Sequence, residues 1–126
     1  MGGLLNNLKF QILVLASSIL LRRAQSRSLR FQQMLHEETF VLQVCTDAGI
    51  AAFYRLQGGA LQVRLGHHPK PDFTQTWVNS REAVRAMLSK DETDILRALE
   101  AGKCRMQGRF NVALWLNEAM KIARSV

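Results

Sequence analysis

The sequence predicts an α+β fold: one five-stranded, mainly antiparallel sheet covered by helices on one face, behind an N-terminal helical arm. Three observations predict it. Apolar residues recur every three to four positions up to about residue 35, then every second position through residue 65. Glycines and short turn formers separate the alternating runs closely enough for hairpins. A last run of five alternating residues lies between Gly102 and Gly108, with helical patterns on both sides. A lone strand is not stable, so this one must rejoin the earlier sheet.

The arm comes first. Leu5, Leu8, Ile12, Leu15 and Ile19 follow a three/four spacing, and Val14, Leu20 and Leu21 widen that face. The stretch "SRSLRFQQMLHEE" continues as a second helix after a joint near residues 24–28. "TFVLQVC" places Phe40, Leu42 and Val44 on one face, and Asp47 and Gly49 form a turn. "IAAFYRL" returns with Ile50, Ala52, Tyr54 and Leu56 on one side. Gly58-Gly59 turns the chain again into "ALQVRL", with Leu61, Val63 and Leu65 inward and Gln62 and Arg64 outward. "GHHPKPD" is a loop and "FTQTWV" the fourth strand. Asn79 with Glu82 forms a capping box ahead of a helix with Ala83, Val84, Met87 and Leu88 on its apolar face. Ser89 with Glu92 repeats the box before Ile95, Leu96 and Leu99, and Gly102 stops that helix. In the fifth strand Cys104 and Met106 point one way, Arg105 and Gln107 the other. Val112, Trp115, Leu116, Ala119, Met120 and Ala123 make a final amphipathic helix.

Composition narrows the function classes. The chain has 126 residues and a net charge of +7, of which +5 falls in residues 1–36, where there is no acid. The basic arm raises nucleic-acid binding as a class. Aromatic residues are only 7%, Phe31 alone lies among the arginines, and no reader motif is present, so no nucleic-acid partner is expected. The enzyme class lacks a Gly-x-Ser-x-Gly elbow, a phosphate loop and a dinucleotide fingerprint. His67-His68 beside Asp72 has no ordered metal-ligand spacing, and Glu92 and Asp94 serve a helix start. No catalysis, metal or cofactor is expected. Cys45 and Cys104 are expected as buried free thiols. The apolar run at 10–21 is about 18 Å long as a helix, short of a roughly 30 Å bilayer core, so a span is not expected. Arg22 and Arg23 stand where a signal peptide needs small residues, and Asn6 where a myristoylation signal needs Ser or Thr.

The order of elements, with "AGKCRMQG" at its hinge, resembles the sterol carrier protein type-2 domain. Ala98, Leu99, Gly102, Lys103, Cys104, Arg105, Met106, Gln107 and Gly108 fit that family's helix–Gly-Lys–strand–Gly pattern without a gap. "DFTQTWVNSREAVRAML" resembles its preceding strand-and-helix unit, which an acidic residue opens. The likeness covers residues 28–124. Two departures stand out. Arg109 occupies the place of a capping Asp or Asn, leaving Asn111 to cap, and Gln75 sits where an inward apolar residue is expected.

The resemblance implies a lipid-binding domain at 28–126 behind the arm at 1–27, with an apolar tunnel between sheet and helices. It implies non-catalytic binding, and transfer, of a sterol, fatty acyl or polyprenyl lipid. The expected tunnel lining is Phe40, Leu42, Tyr54, Val63, Gln75 and Trp77 from the strands. Met87, Leu96, Leu99, Met106, Trp115 and Met120 complete it. Arg23, Arg27 and Arg30 fall on one helical face by spacing and would meet an anionic membrane surface. The arm is otherwise free to pack on the body or to pair with a second chain as a homodimer. The alternative function is an accessory protein with a filled core, acting through its apolar arm, for example in lipid or quinone biosynthesis. Either role is expected in the cytoplasm, at the inner face of a membrane where the arm docks.

Overall fold

Three alternating runs pair as expected, and the fourth and fifth extend the same sheet. The computed structural model describes residues 2–91 and 93–126. The strands are β1 (Phe40–Thr46), β2 (Ala51–Gln57), β3 (Ala60–Leu65), β4 (Phe73–Trp77) and β5 (Cys104–Gly108). The helices are α1 (Gly2–Arg27), α2 (Leu29–Met34), α3 (Ser80–Leu88), α4 (Thr93–Glu100) and α5 (Phe110–Ser125). The fold is α+β, with sheet order β3-β2-β1-β4-β5.

β1–β2, β2–β3 and β4–β5 are antiparallel, whereas β4 lies parallel to β1. The parallel pair follows from where the hairpin ends. β3 is an outer strand, so residues 66–72 must cross two strands to reach the far side of β1. The crossing runs over the back of the sheet. There the His68 backbone N–H donates to Gln43 Oε1 at 2.8 Å, and the His68 ring meets Phe53 edge-on at 5.1 Å. Asp72 ends the crossing by holding Val41 twice. Its N–H donates to the Val41 carbonyl (2.8 Å), and its carboxylate accepts from the Val41 N–H (2.7 Å).

Two glycines frame β5 for different reasons. Gly102, at φ 73°, closes α4: Lys103 N–H donates to Ala98 O (2.9 Å) and Gly102 N–H to Leu99 O (3.2 Å), a Schellman stop. Gly108, at φ 114°, lies so close to β4's entry that a Cβ there would stand 2.2 Å from Asp72 O. The short strand is thus cut to length by a helix stop on one side and a backbone approach on the other.

The helices cover one face, to which Leu42, Tyr54, Val63, Phe73 and Met106 all point. Ser28 breaks the N-terminal helix as expected, its hydroxyl accepting from Phe31 N–H at 3.1 Å. The buried face of α1 is not the expected one. Phe10, Val14, Ser17, Leu21 and Ala24 are buried, while Leu5, Leu8, Ile12, Leu15 and Ile19 are 43–69% exposed. Both stripes have helical spacing; α1 presents the first to α3, α5 and β3. Tyr54 on β2 reaches the same helix, 2.7 Å from Ser17 Oγ. Ser17 donates its one proton to Val14 O (2.5 Å), so Tyr54 is the donor.

Local details depart from the pattern elsewhere. Asn79 caps α3 (2.9 Å to Glu82 N–H), but the Glu82 carboxylate turns to Lys103 at 3.6 Å and Arg85 at 4.0 Å. Leu88 and Leu96 point outward. Glu92 lies outside the described residues. Ser89 Oγ accepts from Asp91 N–H at 3.1 Å and is bonded to the Asp94 carboxylate. Asn111 does not cap α5. It donates to Glu38 Oε2 (2.9 Å), and the N-cap position is Arg109, with no side-chain cap. Arg109 instead binds Glu38 at 2.8 Å and the Thr39 carbonyl at 3.3 Å, tying the start of α5 to the turn before β1. Its guanidinium holds the Glu38 carboxyl below the usual range.

Candidate functional site

The layer between sheet and helices is where the lining residues were expected. Phe40, Leu42, Tyr54, Trp77 and Trp115 are buried there. Val63, Gln75, Met87, Leu99, Met106 and Met120 are half-buried, and Leu96 is 59% exposed. Trp115 meets Phe40 edge-on at 5.1 Å and donates its indole N–H to Met34 O at 3.0 Å. Gln75 faces inward and accepts from the Trp77 indole N–H (2.9 Å), which explains a polar residue at that place.

Much of that layer is filled by side chains from the arm. Phe10, Val14 and Leu21 of α1, with Phe31 and Met34 of α2, have at most 2% exposure and pack with Phe40, Leu56, Phe73 and Val112. Two openings lie at its edges. One, about 320 Å³, runs between α1 and the outer strand β3. Leu21, Leu61 and Val63 form its floor; Arg22, Gln25, Gln62 and Arg64 are its exposed rim. The other, about 270 Å³, lies among α3, α4 and the start of β5, over Trp77, Ala86, Ala98 and Ala101. Its charges are paired across it: Glu82 faces Lys103 at 3.6 Å and Arg85 at 4.0 Å, and Arg97 faces Asp94 at 3.1 Å. Among the described residues, the first opening has no carboxylate in its lining. Of its lining, Val63 was expected from the sequence, whereas Leu21, Leu61, Arg22 and Arg64 were not. Nothing in the sequence signals that α1 and β3 lie side by side.

The three expected membrane-facing arginines are divided between two helices. Arg23 and Arg27 are on α1 and Arg30 on α2, with extended Ser28 between. Arg23 donates to Val126 O (2.9 Å), and Arg30 pairs with Glu37 (2.6 Å). α1, at 26 residues, is about 39 Å long, long and apolar enough to cross a membrane by length and composition. That exceeds the expected 10–21 run; in this structure the helix lies against the body along its buried stripe.

His67 and His68 have structural partners: His67 Nε2 lies 2.9 Å from Gly49 O, and His68 Nδ1 accepts from Lys70 N–H (3.0 Å). Cys45 and Cys104 are buried and free. They point to opposite faces of the sheet, since Cys45 is in register with Thr76 and Cys104 with its neighbour Trp77. Burial pushes the Cys104 thiol up to about 11.

A sheet of order β3-β2-β1-β4-β5, helices on one face and its last strand set between the final two helices, is the sterol carrier protein type-2 fold. No protein-family model matches the chain, and no curated protein matches it in sequence. Solved structures do. A UbiJ-SCP2 ubiquinone synthesis protein aligns with TM-score 0.65 at 14% identity, over 90% of this chain and 96% of that one. Sterol carrier protein 2 from Yarrowia lipolytica, in its apo form, aligns with TM-score 0.58 at 15% identity over 82% and 86% of the two chains. Another sterol carrier protein 2 aligns with TM-score 0.53 at 19% identity over 88% and 95%. At these identities the likeness is one of fold.

Proposed function

We propose that this protein binds an apolar lipid non-catalytically, with the tail entering along the seam between α1 and β3. The observation that carries this reading is the opening there, whose floor of Leu21, Leu61 and Val63 is continuous with the core. The sterol carrier proteins that share the fold support it. At about 320 Å³ the opening is at the low end for a ligand site, so a longer tail has to displace part of α1. Exposing Phe10, Val14 and Leu21 together costs about 5–9 kcal/mol. A lipid of about thirty heavy atoms supplies about −9 kcal/mol. Full displacement is therefore near balance, and a partial shift about the Ser28 joint is favoured. The test is titration with fluorescent fatty acyl, sterol and polyprenyl analogues, followed by displacement with unlabelled lipid. Saturable, displaceable binding of one class is expected; none with any class refutes the reading.

A second reading rests on the outer stripe of α1. Leu4, Leu5, Leu8, Ile12, Leu15 and Ile19 are all exposed along one helix, the kind of patch that marks a protein or membrane contact. The fold shared with a ubiquinone synthesis protein supports an accessory role in quinone synthesis, with α1 seated on a membrane or on a second copy. Ile12→Glu with Ile19→Glu leaves the core intact and should abolish vesicle flotation or dimer sedimentation of the full chain. A monomer that never floats, before or after substitution, removes this reading.

A further inference from the structure

We propose that the outer stripe of α1 is a dimer seam, closed by the same stripe of a second copy running antiparallel; this rests on the accessory reading above. Leu5, Leu8, Ile12, Leu15 and Ile19 are spaced three, four, three and four residues apart. That is an a/d repeat over two heptads, the pattern of a helix that packs against one other helix. In the same heptads Phe10, Ser17 and Ala24 take the f position, straight across the helix, and all three are buried. The body therefore occupies the far side of α1 and leaves the a/d seam clear, its five side chains 43–69% exposed.

The flanks of the seam favour a second helix over a lipid surface. The e and g positions beside it are Lys9 and Ala16 on one side, Gln11 and Ser18 on the other. Lys9 is the only charged residue between Leu4 and Leu21 in the sequence, whereas an interfacial helix is rich in basic residues along its polar face. A second α1 offers the same seam, and two-fold pairing is self-complementary and closes at two chains. With Leu4, the six exposed side chains leave on the order of 600 Å² per copy, about 1,200 Å² for two, the lower end of a specific interface. Charge sets the direction. Arg22 is the d position that follows Ile19, so a parallel pair stacks the two Arg22 side chains in one layer. An antiparallel pair sets Ile12 opposite Leu15 and Leu8 opposite Ile19. Each Arg22 then lies beside Leu5 of the second copy, with the two arginines about 25 Å apart along the seam and screened from one another.

Sedimentation equilibrium of the full chain in lipid-free buffer should show a reversible monomer–dimer step at about tens of micromolar, as suits so small an interface. Ile12→Glu with Ile19→Glu should keep the chain monomeric up to about 1 mM, because each pairing would bury unpartnered carboxylates. Far-UV dichroism and tryptophan emission should not change, since both side chains are exposed in the single chain. Disulfide trapping with diamide reads the direction. Leu8→Cys chains mixed with Ile19→Cys chains should cross-link to each other and neither to itself, and Cys45 and Cys104, being buried, do not compete. A dimer that survives the double glutamate variant overturns the seam. Leu8→Cys chains that link to themselves overturn the antiparallel arrangement. An unsubstituted chain still monomeric at about 1 mM that floats with vesicles of phosphatidylglycerol and phosphatidylcholine overturns the dimer and leaves the accessory reading standing on a membrane. One that neither pairs nor floats removes both, and leaves lipid binding by the body untouched.

Discussion

Phe10→Ala tests which side of α1 belongs to the protein. The ring is 0% exposed and packs in the core cluster, so truncation removes the largest α1 side chain from a filled layer. Deletion of a buried phenylalanine costs about 3–5 kcal/mol, the lost transfer energy plus the cavity left behind. Against a total of about 5–15 kcal/mol for a domain, that is a third or more of the stability. Ile19→Ala is the control. Ile19 is 69% exposed, so the change should lie within about 0.5 kcal/mol of zero, aided by alanine's helix propensity. Urea unfolding followed by tryptophan emission reads both, with the slope against denaturant checked for constancy. A core built on the Leu5–Ile19 stripe gives the opposite order. Equal losses for the two variants, or a larger one for Ile19→Ala, would refute the packing described for α1.

Three further outcomes follow from the same packing. Ser17→Ala should destabilise more than Tyr54→Phe, by about 1 kcal/mol, because it strands the buried Tyr54 hydroxyl whereas the reverse change leaves Ser17 bonded to Val14 O; paired urea melts decide. Gly108→Ala should cost about 3 kcal/mol or more, since φ is 114° and the new Cβ would meet Asp72 O; a neutral melt contradicts that approach. Stability should fall as pH rises from about 9 to 11. Cys104 keeps its proton in the fold until about 11, the unfolded thiol loses it near 9.0, and the buried Tyr54 is likewise shifted up. The stability present below pH 9 is therefore lost through that window, and Cys104→Ala should flatten the decline; an unchanged slope sinks the assignment.

Much of the architecture was legible because strands and helices have different periods. Leu61, Val63 and Leu65 alternate with Gln62 and Arg64 whatever they pack against, and Gly102 stops a helix by its own conformational freedom. The strand order was less so. That β4 lies parallel to β1 depends on a seven-residue crossing held by Gln43, Phe53 and Val41, contacts between residues distant in sequence. Asn111 shows the limit for caps. Its residue type suits the role, but Glu38 and Arg109 meet at the helix start and draw it into another bond.

By itself the sequence determined the α+β class, the elements, a helix break within residues 24–28 and the excess positive charge of the arm, because these depend on neighbours along the chain. Tertiary structure alone decided which stripe of α1 is buried. A helix apolar around most of its circumference offers two equivalent faces, and only the shape of the waiting sheet, α3 and α5 selects Phe10, Val14 and Leu21. The same packing sets α1 beside β3 and leaves an opening over Leu21, Leu61 and Val63 that no local pattern encodes.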